Sequence, residues 1–230
     1  MTKKILFLLS GGLDSSISLF MESKKKGFDL NACETIFFDR RSDLGENLDH
    51  RAFIYEFNSA NDISKKILKK PVRLYHLPMN WYAEAKKERK KELVYPYGRN
   101  ILLLVGSASF AATNYTGFES SIIVGFNKGD ASSDTSPEFV TSFNDFLGIG
   151  FKQNNKIELK APLINMYKSD IINYAYTFGQ EGIDLIKKTW SCYEDGRNFN
   201  NLHCGKCDAC KKRKEGFERS SKTDPTQYYQ

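Results

Sequence analysis

The run Lys4-Ile5-Leu6-Phe7-Leu8-Leu9-Ser10-Gly11-Gly12-Leu13-Asp14-Ser15-Ser16 constrains the fold more than any other part of the chain. Ile5 to Leu9 is continuously apolar, with no polar alternation, as suits a parallel strand covered on both faces. A Ser-Gly-Gly turn follows at once, and Asp14-Ser15-Ser16 opens an amphipathic helix. The two glycines allow a tight turn with exposed N–H groups. The serine hydroxyls and the helix N-terminus add further donors and a partial positive charge. This order of strand, glycine turn and helix predicts a cradle for a phosphate or pyrophosphate. The Gly-Lys-Ser/Thr ending of a Walker loop is absent, so γ-phosphate transfer of the kinase or GTPase kind is not indicated.

The alternation continues downstream. A helix is expected from about Asp14 to Lys26, closing on three lysines and a Gly27 cap. Asn31 to Phe38 reads as a strand ended by Asp39-Arg40-Arg41, and a helix follows from about Arg51 to Leu68. Val72 to Leu77 is a third strand, and a charged helix covers Trp81 to Leu93. After a Tyr95–Asn100 turn come an apolar helix, Ile101 to Tyr115, and a strand, Ser121 to Phe126. Ser136-Pro137-Glu138 starts another helix, with proline in its first turn. Such a pattern predicts an α/β fold with a doubly wound, mainly parallel sheet and ligands beyond the carboxyl ends of its strands.

The 230 residues fit a nucleotide-binding and substrate domain over 1–185, a small C-terminal segment over 186–219 and an unstructured tail over 220–230. Hydrophobic residues at 40% and charged residues at 27% are ordinary for a globular protein. No run approaches the roughly 18 apolar residues of a membrane span. Residues 5–9 are too few for a signal peptide, so a cytoplasmic setting is expected. The net charge of +6 comes from lysine clusters at Lys24–Lys26, Lys86–Lys91 and Lys211–Lys214, several mixed with Glu84, Glu88 and Glu92. These read as solvated helix faces, and nucleic acid is not expected as a direct substrate.

Cysteines in a chain of this kind point to metal or catalysis rather than disulfides. Cys192, Cys204, Cys207 and Cys210 form a C-x11-C-x2-C-x2-C set. Overlapping C-x2-C turns bring backbone amides onto shared thiolates, and Cys192 closes a tetrahedron, which suits a structural zinc site with no open position. An iron–sulfur cluster is the competitor, but the ferredoxin run has its next cysteine three residues on and followed by proline, and this chain lacks that. His203 is a spare ligand that a four-cysteine site does not need. Cys33 lies in an expected apolar strand and reads as a small core residue.

Further motifs are Phe38-Asp39, Tyr95-Pro96-Tyr97-Gly98-Arg99-Asn100, Gly125-Phe126-Asn127 with Asp130, and Pro137-Glu138-Phe139. They are followed by Pro162-Leu163-Ile164 with Lys168, then Thr189-Trp190-Ser191-Cys192-Tyr193 and Cys204-Gly205-Lys206-Cys207-Asp208-Ala209-Cys210. With the Ser10–Ser16 loop, and in this order, they resemble the 7-cyano-7-deazaguanine synthase (QueC) family of the ATP pyrophosphatase superfamily. The resemblance implies an adenine nucleotide α-hydrolase-like, Rossmann-like fold. It also implies conversion of 7-carboxy-7-deazaguanine to a nitrile with ammonia and ATP, through an acyl-adenylate and an amide. ATP, Mg²⁺ and Zn²⁺ are the implied cofactors.

By the same resemblance Ser10, Gly11, Gly12, Leu13, Asp14, Ser15 and Ser16 hold the pyrophosphate, with Asp39 and Gly98 also on the nucleotide. Arg99, Asn100, Asn127, Asp130, Glu138 and Phe139 face the substrate, and Asn100 reads equally well as a helix cap. Asp14, with Mg²⁺, and Arg99 and Lys168, on phosphate or carboxylate, are the catalytic candidates. A homodimer is implied.

Two segments depart from the family. Where it carries a Ser-Gly-Tyr-Pro-Asp-Cys-like stretch facing the deazapurine, this chain has Asp130-Ala131-Ser132-Ser133-Asp134-Thr135-Ser136. After Asp39 it has Arg40-Arg41-Ser42-Asp43-Leu44 in place of a Tyr-Gly-Gln-Arg-like run. The activation chemistry is thus better matched than the recognition of the base. The alternatives are an amide-forming relative, a ligase joining the adenylated acid to another amine such as one on a protein, a tRNA-modifying sulfur-inserting enzyme, and a degenerate ATP-responsive binding module. Position 2 is threonine, not the cysteine of an N-terminal glutaminase, so free ammonia or a separate donor is expected.

Overall fold

The computed structural model describes residues 3–41, 52–77, 79–81, 98–130, 132–151, 156–194 and 196–230. Its strands are β1 (Lys3–Leu8), β2 (Cys33–Asp39), β3 (Arg73–His76), β4 (Glu119–Ile123) and β5 (Ile157–Lys160). They form one parallel sheet in the order β3-β2-β1-β4-β5. Strand order reverses between β1 and β4, which opens a crevice beyond their carboxyl ends.

The apolar run of β1 follows from its central place. Ile5, Phe7 and Leu9 face one cluster with Leu13 and Ile17 of α1 (Leu13–Ser23) and Ala60 and Ile63 of α2 (Phe53–Leu68). Ile171 and Ile172 of α5 (Lys168–Tyr176) and Leu185 of α6 (Gln180–Lys188) complete that face. Leu6 and Leu8 face the opposite cluster, with Leu104 of α3 (Arg99–Asn114) and Leu147 of α4 (Pro137–Gly150). With a side-chain period of two, covering both faces demands an apolar residue at every position. Each such side chain contributes about 1.5–3 kcal/mol on burial. Among the described residues no helix is long and apolar enough to cross a membrane.

Several expectations need correction. Helix α1 ends at Ser23 rather than Lys26: the Lys24 and Lys25 amides turn back on the Met21 and Glu22 carbonyls, and Lys24 reaches Glu181 at 2.7 Å. Gly27, at φ +80°, shapes the turn beyond. The cap of α3 is Gly98, at φ +75°, and Asn100 lies inside the helix, where its Nδ2 donates to Asp134 Oδ1 at 3.0 Å. The charged helix expected over 81–93 lies outside the described residues beyond Trp81, as do Tyr95-Pro96-Tyr97, Ser42-Asp43-Leu44 and Ala131.

The tail beyond Ser220 is not a loose end. The last helix, α7 (Asp208–Ser220), is followed by a strap in which the Tyr229 amide donates to the His203 carbonyl at 2.9 Å. The Tyr176 hydroxyl donates to the Thr223 carbonyl at 2.5 Å. Asp224 pairs with the buried Arg213. Polar composition suggested disorder, but the Tyr229 amide, the Thr223 carbonyl and the Asp224 carboxylate each find a specific partner in the fold.

Candidate active site and metal centre

The phosphate loop is built around two glycines that tolerate no side chain. Gly11 has φ +76°, and a Cβ there would lie 2.3 Å from the Glu56 carbonyl. A Cβ on Gly125, just past β4, would lie 2.6 Å from the Ser15 nitrogen. The first turn of α1 is therefore pressed against the chain leaving β4, at the sheet's switch point. Within the loop Gly12 N–H donates to Ser10 Oγ at 3.4 Å, and the Ser10 and Ser15 hydroxyls lie 3.0 Å apart. Ser16 Oγ donates to the Gly12 carbonyl at 2.6 Å. The loop is braced from behind by Trp190 N–H, which donates to the Gly11 carbonyl at 2.9 Å. Ser59 Oγ, 2.7 Å from the Gly11 carbonyl and 2.6 Å from that of Lys188, can donate to either.

A cleft of about 340 Å³ opens over this loop. Ser10, Gly12, Leu13, Asp14, Asn127, Asp130 and Lys168 line it, with Glu56, Trp190, Ser191 and Tyr193 on another wall and Lys212 and Arg219 of α7 at the rim. Lys168 Nζ meets Asp14 Oδ2 at 2.6 Å, both side chains 23% exposed. Asp14 Oδ1 and Asn127 Nδ2 are buried without a hydrogen-bond partner, one an open acceptor and the other an open donor. Asp130 closes a turn by accepting from Asn127 N–H at 3.3 Å. Its carboxyl is reached by solvent, yet surrounding protein, and then the nearby Asp14 charge, push its pKa upward.

At the C-terminal end of the chain, the sulfur atoms of Cys192, Cys204, Cys207 and Cys210 all lie within 4.8 Å of one another. The Cys204–Cys210 and Cys207–Cys192 Sγ separations are both 4.0 Å. A tetrahedron of sulfurs about 2.3 Å from zinc has edges of about 3.8 Å. Backbone N–H groups of Glu194 and Cys204 point at Cys192 Sγ, at 3.3 and 3.4 Å, and those of Lys206 and Cys207 at Cys204 Sγ, at 3.4 and 3.3 Å. Four converging thiols and amides that stabilise their anions fit zinc and leave no ligand position for water.

The family model described as "Queuosine biosynthesis protein QueC" matches residues 4–221. The chain belongs to the QueC family. A 7-cyano-7-deazaguanine synthase from Thermosynechococcus vestitus is 31% identical, over 99% of this chain and 96% of that protein. One from Methanococcus vannielii is 32% identical over 98% of each chain. One from Methanocaldococcus jannaschii is 28% identical over 98% of this chain and 99% of its own. Among solved structures, a "predicted subunit of tRNA methyltransferase" from Methanocaldococcus jannaschii covers 83% of this chain and 92% of its own, at 15% identity and a TM-score of 0.42, too distant a likeness to bear on function.

Not every residue that the QueC resemblance singled out borders the cleft. Asp39, at the end of β2, is held by Arg41 at 2.8 Å and lies 3.6 Å from His76. Burial would raise its carboxyl, but hydrogen bonds and charge from Arg41 outweigh that and leave it below the usual carboxylate range. Glu138 is exposed in the first turn of α4, and Phe139 packs against the second core cluster. Gly98, Arg99 and Asn100 open α3 and are not among the residues that line the cleft, with Asp134 tied to both Asn100 and the Ser132 hydroxyl.

Glu56 and Arg40 were not foreseen. They pair at 3.2 Å, with Glu56 on the cleft wall and Arg40 near enough to Arg99 for the two charges to interact. Glu56 sits on a helix whose polar residues looked like ordinary solvated surface, and no signal in the sequence marked it.

Trp190 is sandwiched between Tyr55 and His203, each ring centroid 4.4 Å away. His203 Nε2 accepts from Ser191 N–H at 3.0 Å, so it serves as a prop for the wall and not as a spare zinc ligand. Burial, reinforced by the Arg213 charge, pushes its pKa down to about 4. The unfolded chain takes up a proton near pH 6.5 that the native His203 refuses until about 4. Stability is thus expected to fall as pH drops through that window, by about 3 kcal/mol at its foot. Urea midpoints at pH 7 and pH 5, with zinc content followed in parallel, test this. His203→Gln, which can still accept from Ser191, should shrink the difference, and an unchanged difference refutes it.

Proposed function

We propose that this chain activates 7-carboxy-7-deazaguanine with ATP and, with ammonia, makes 7-cyano-7-deazaguanine, as its QueC relatives are named for doing. The observation that carries this is the Ser10–Ser16 cradle at the switch point, opposite Lys168, in a chain that matches the family nearly end to end. A carboxylate is a poor acceptor for ammonia. In the proposed reaction its oxygen attacks the α-phosphate, the bond to the β-phosphate breaks, and pyrophosphate leaves into the cradle. Amides at the start of α1, unused by the helix, and the loop hydroxyls meet that charge without reorganising. Ammonia then displaces AMP and sheds a proton to give the amide. A second ATP adenylates the amide oxygen with release of another pyrophosphate, and that oxygen departs with AMP while the nitrogen sheds its two protons to leave the nitrile.

Lys168 neutralises phosphate charge once drawn off Asp14. Asp14, with an orphaned buried oxygen, fits a hard cation, and Mg²⁺ held there would supply charge neutralisation on phosphate oxygens. Asn127 Nδ2 and Asp130 offer a donor and an acceptor to the deazapurine. In this reading Arg99, Asn100, Glu138 and Phe139 contribute to the substrate pocket, with Asp39 and Gly98 beside the adenosine. The reaction is a carbon–nitrogen ligation driven by pyrophosphate release. Residues 1–185 carry most of it, 186–219 form the zinc segment and part of the cleft wall, and a cytoplasmic homodimer using free ammonia or a separate donor completes the reading.

A sulfur-inserting reading gains nothing from Cys33, which is fully buried with its thiol pushed up to about 12 by burial. All other thiols belong to the metal cluster. The deciding experiment incubates the protein with 7-carboxy-7-deazaguanine, ATP, Mg²⁺ and ammonia, and follows products by mass spectrometry. The nitrile with pyrophosphate is expected. A product that stops at the amide, or pyrophosphate release that needs no acid substrate, overturns the proposal.

A further inference from the structure

Among the described residues Arg213 is the bulkiest fully buried side chain, 1% exposed, although it stands within the run Lys211-Lys212-Arg213-Lys214. Every donor nitrogen is engaged. Nε donates to Asp224 Oδ2 at 3.1 Å, and Nη2 to Asp224 Oδ1 at 3.3 Å and the Ile186 carbonyl at 3.4 Å. Nη1 donates to Thr189 Oγ1 at 2.8 Å and Ser191 Oγ at 3.0 Å. A guanidinium so occupied has no donor left for phosphate, even though it borders the cleft.

Its partners show what it organises. Thr189 and Ser191 flank Trp190, a residue of the cleft wall whose amide braces the Gly11 carbonyl. Asp224 comes from the terminal strap, where it also accepts from the Tyr228 hydroxyl at 2.6 Å and the Thr226 amide at 3.0 Å.

We propose that Arg213 and Asp224 form a clasp through which the C-terminal strap sets the position of Thr189–Ser191, and through Trp190 that of the phosphate loop. Both are positioning residues, and the proposal rests on the activity assigned above. A buried ion pair is seldom required for stability, since apolar residues of like volume often replace it without loss. What apolar residues cannot replace are the directed bonds to the Thr189 and Ser191 hydroxyls.

The test uses the full chain in a Trp81→Phe background, where Trp190 is the sole tryptophan of the two in the sequence. Asp224→Ala, which strands the buried cation, is expected to lower both melting temperature and kcat. The paired Arg213→Met/Asp224→Leu variant should recover the melting temperature and keep its zinc. Its kcat should stay about tenfold or more below the parent, with Trp190 emission shifted. Ser191→Ala, a milder change, should lose about threefold. A paired variant with parental kcat and emission overturns the clasp. If that variant does not fold, parental kcat and emission in Ser191→Ala do so. A parent that makes no nitrile removes the assigned activity instead, and the clasp is then judged on Trp190 emission alone.

Discussion

Cys207→Ala is expected to release the metal and the folded C-terminal segment together. Cys207 caps the start of α7, its sulfur lies 4.0 Å from that of Cys192, and it accepts from the Tyr193 amide at 3.5 Å. Trp190, Cys192, Cys204 and Cys210 share one small apolar cluster, too small to hold the segment by itself. Zinc sites of this kind supply about 10–16 kcal/mol in isolated finger peptides, whereas a whole domain is stable by about 5–15 kcal/mol. Three thiolates left around a missing corner cannot make up that loss. Metal content by mass spectrometry, soluble yield and circular dichroism should therefore fall as one. A metal-free variant with native melting and normal turnover would contradict the structural role.

Gly125→Ala is expected to damage catalysis far more than folding. The added methyl would lie 2.6 Å from the Ser15 nitrogen, 2.7 Å from its Cα and 2.8 Å from the Asp14 carbonyl carbon. All three are backbone atoms, so no side-chain rotation relieves the clash. The start of α1 must move, carrying with it the donors that receive pyrophosphate. Overpacking of this size costs about 1–3 kcal/mol of stability. A displacement near 1 Å at the reacting groups costs about 100-fold in rate. Steady-state kinetics in ATP beside a melting curve separates the two, and parental kcat/KM would show that the contact is not needed.

How legible these features were depended on whether one residue's identity was enough. The central strand could be read because burial on both faces forbids polar residues at any position of Ile5–Leu9. The phosphate loop followed from the Ser-Gly-Gly turn between strand and helix, where Gly11 approaches other backbone, whereas the equally close approach of Gly125 to Ser15 depends on tertiary structure. Strand β5 escaped notice: Ile-Glu-Leu-Lys at a sheet edge alternates over four residues, too short a pattern to stand out. Helix α7 looked like a basic solvated face, and Arg213 differs from its lysine neighbours only in partners that tertiary structure supplies. The terminal strap was misread for the same reason. Lys168 was foreseen as a cation near phosphate, but its pairing with Asp14 across 154 positions was not visible in the sequence.

The bracing of Gly11 by Trp190 also bears on synthesis. β1 and its loop precede β4 in the chain by over a hundred residues, but β1 lies in the middle of the sheet and waits for β4 to cover one edge. The amide that secures the loop, and the strap behind it, come later still. A nascent chain therefore carries its most chemically committed segment unsupported until these are made. Long-range closure of this kind is slow and leaves apolar strands exposed while it proceeds. The site is therefore completed only once the segment that carries the four-cysteine cluster has folded back onto the loop.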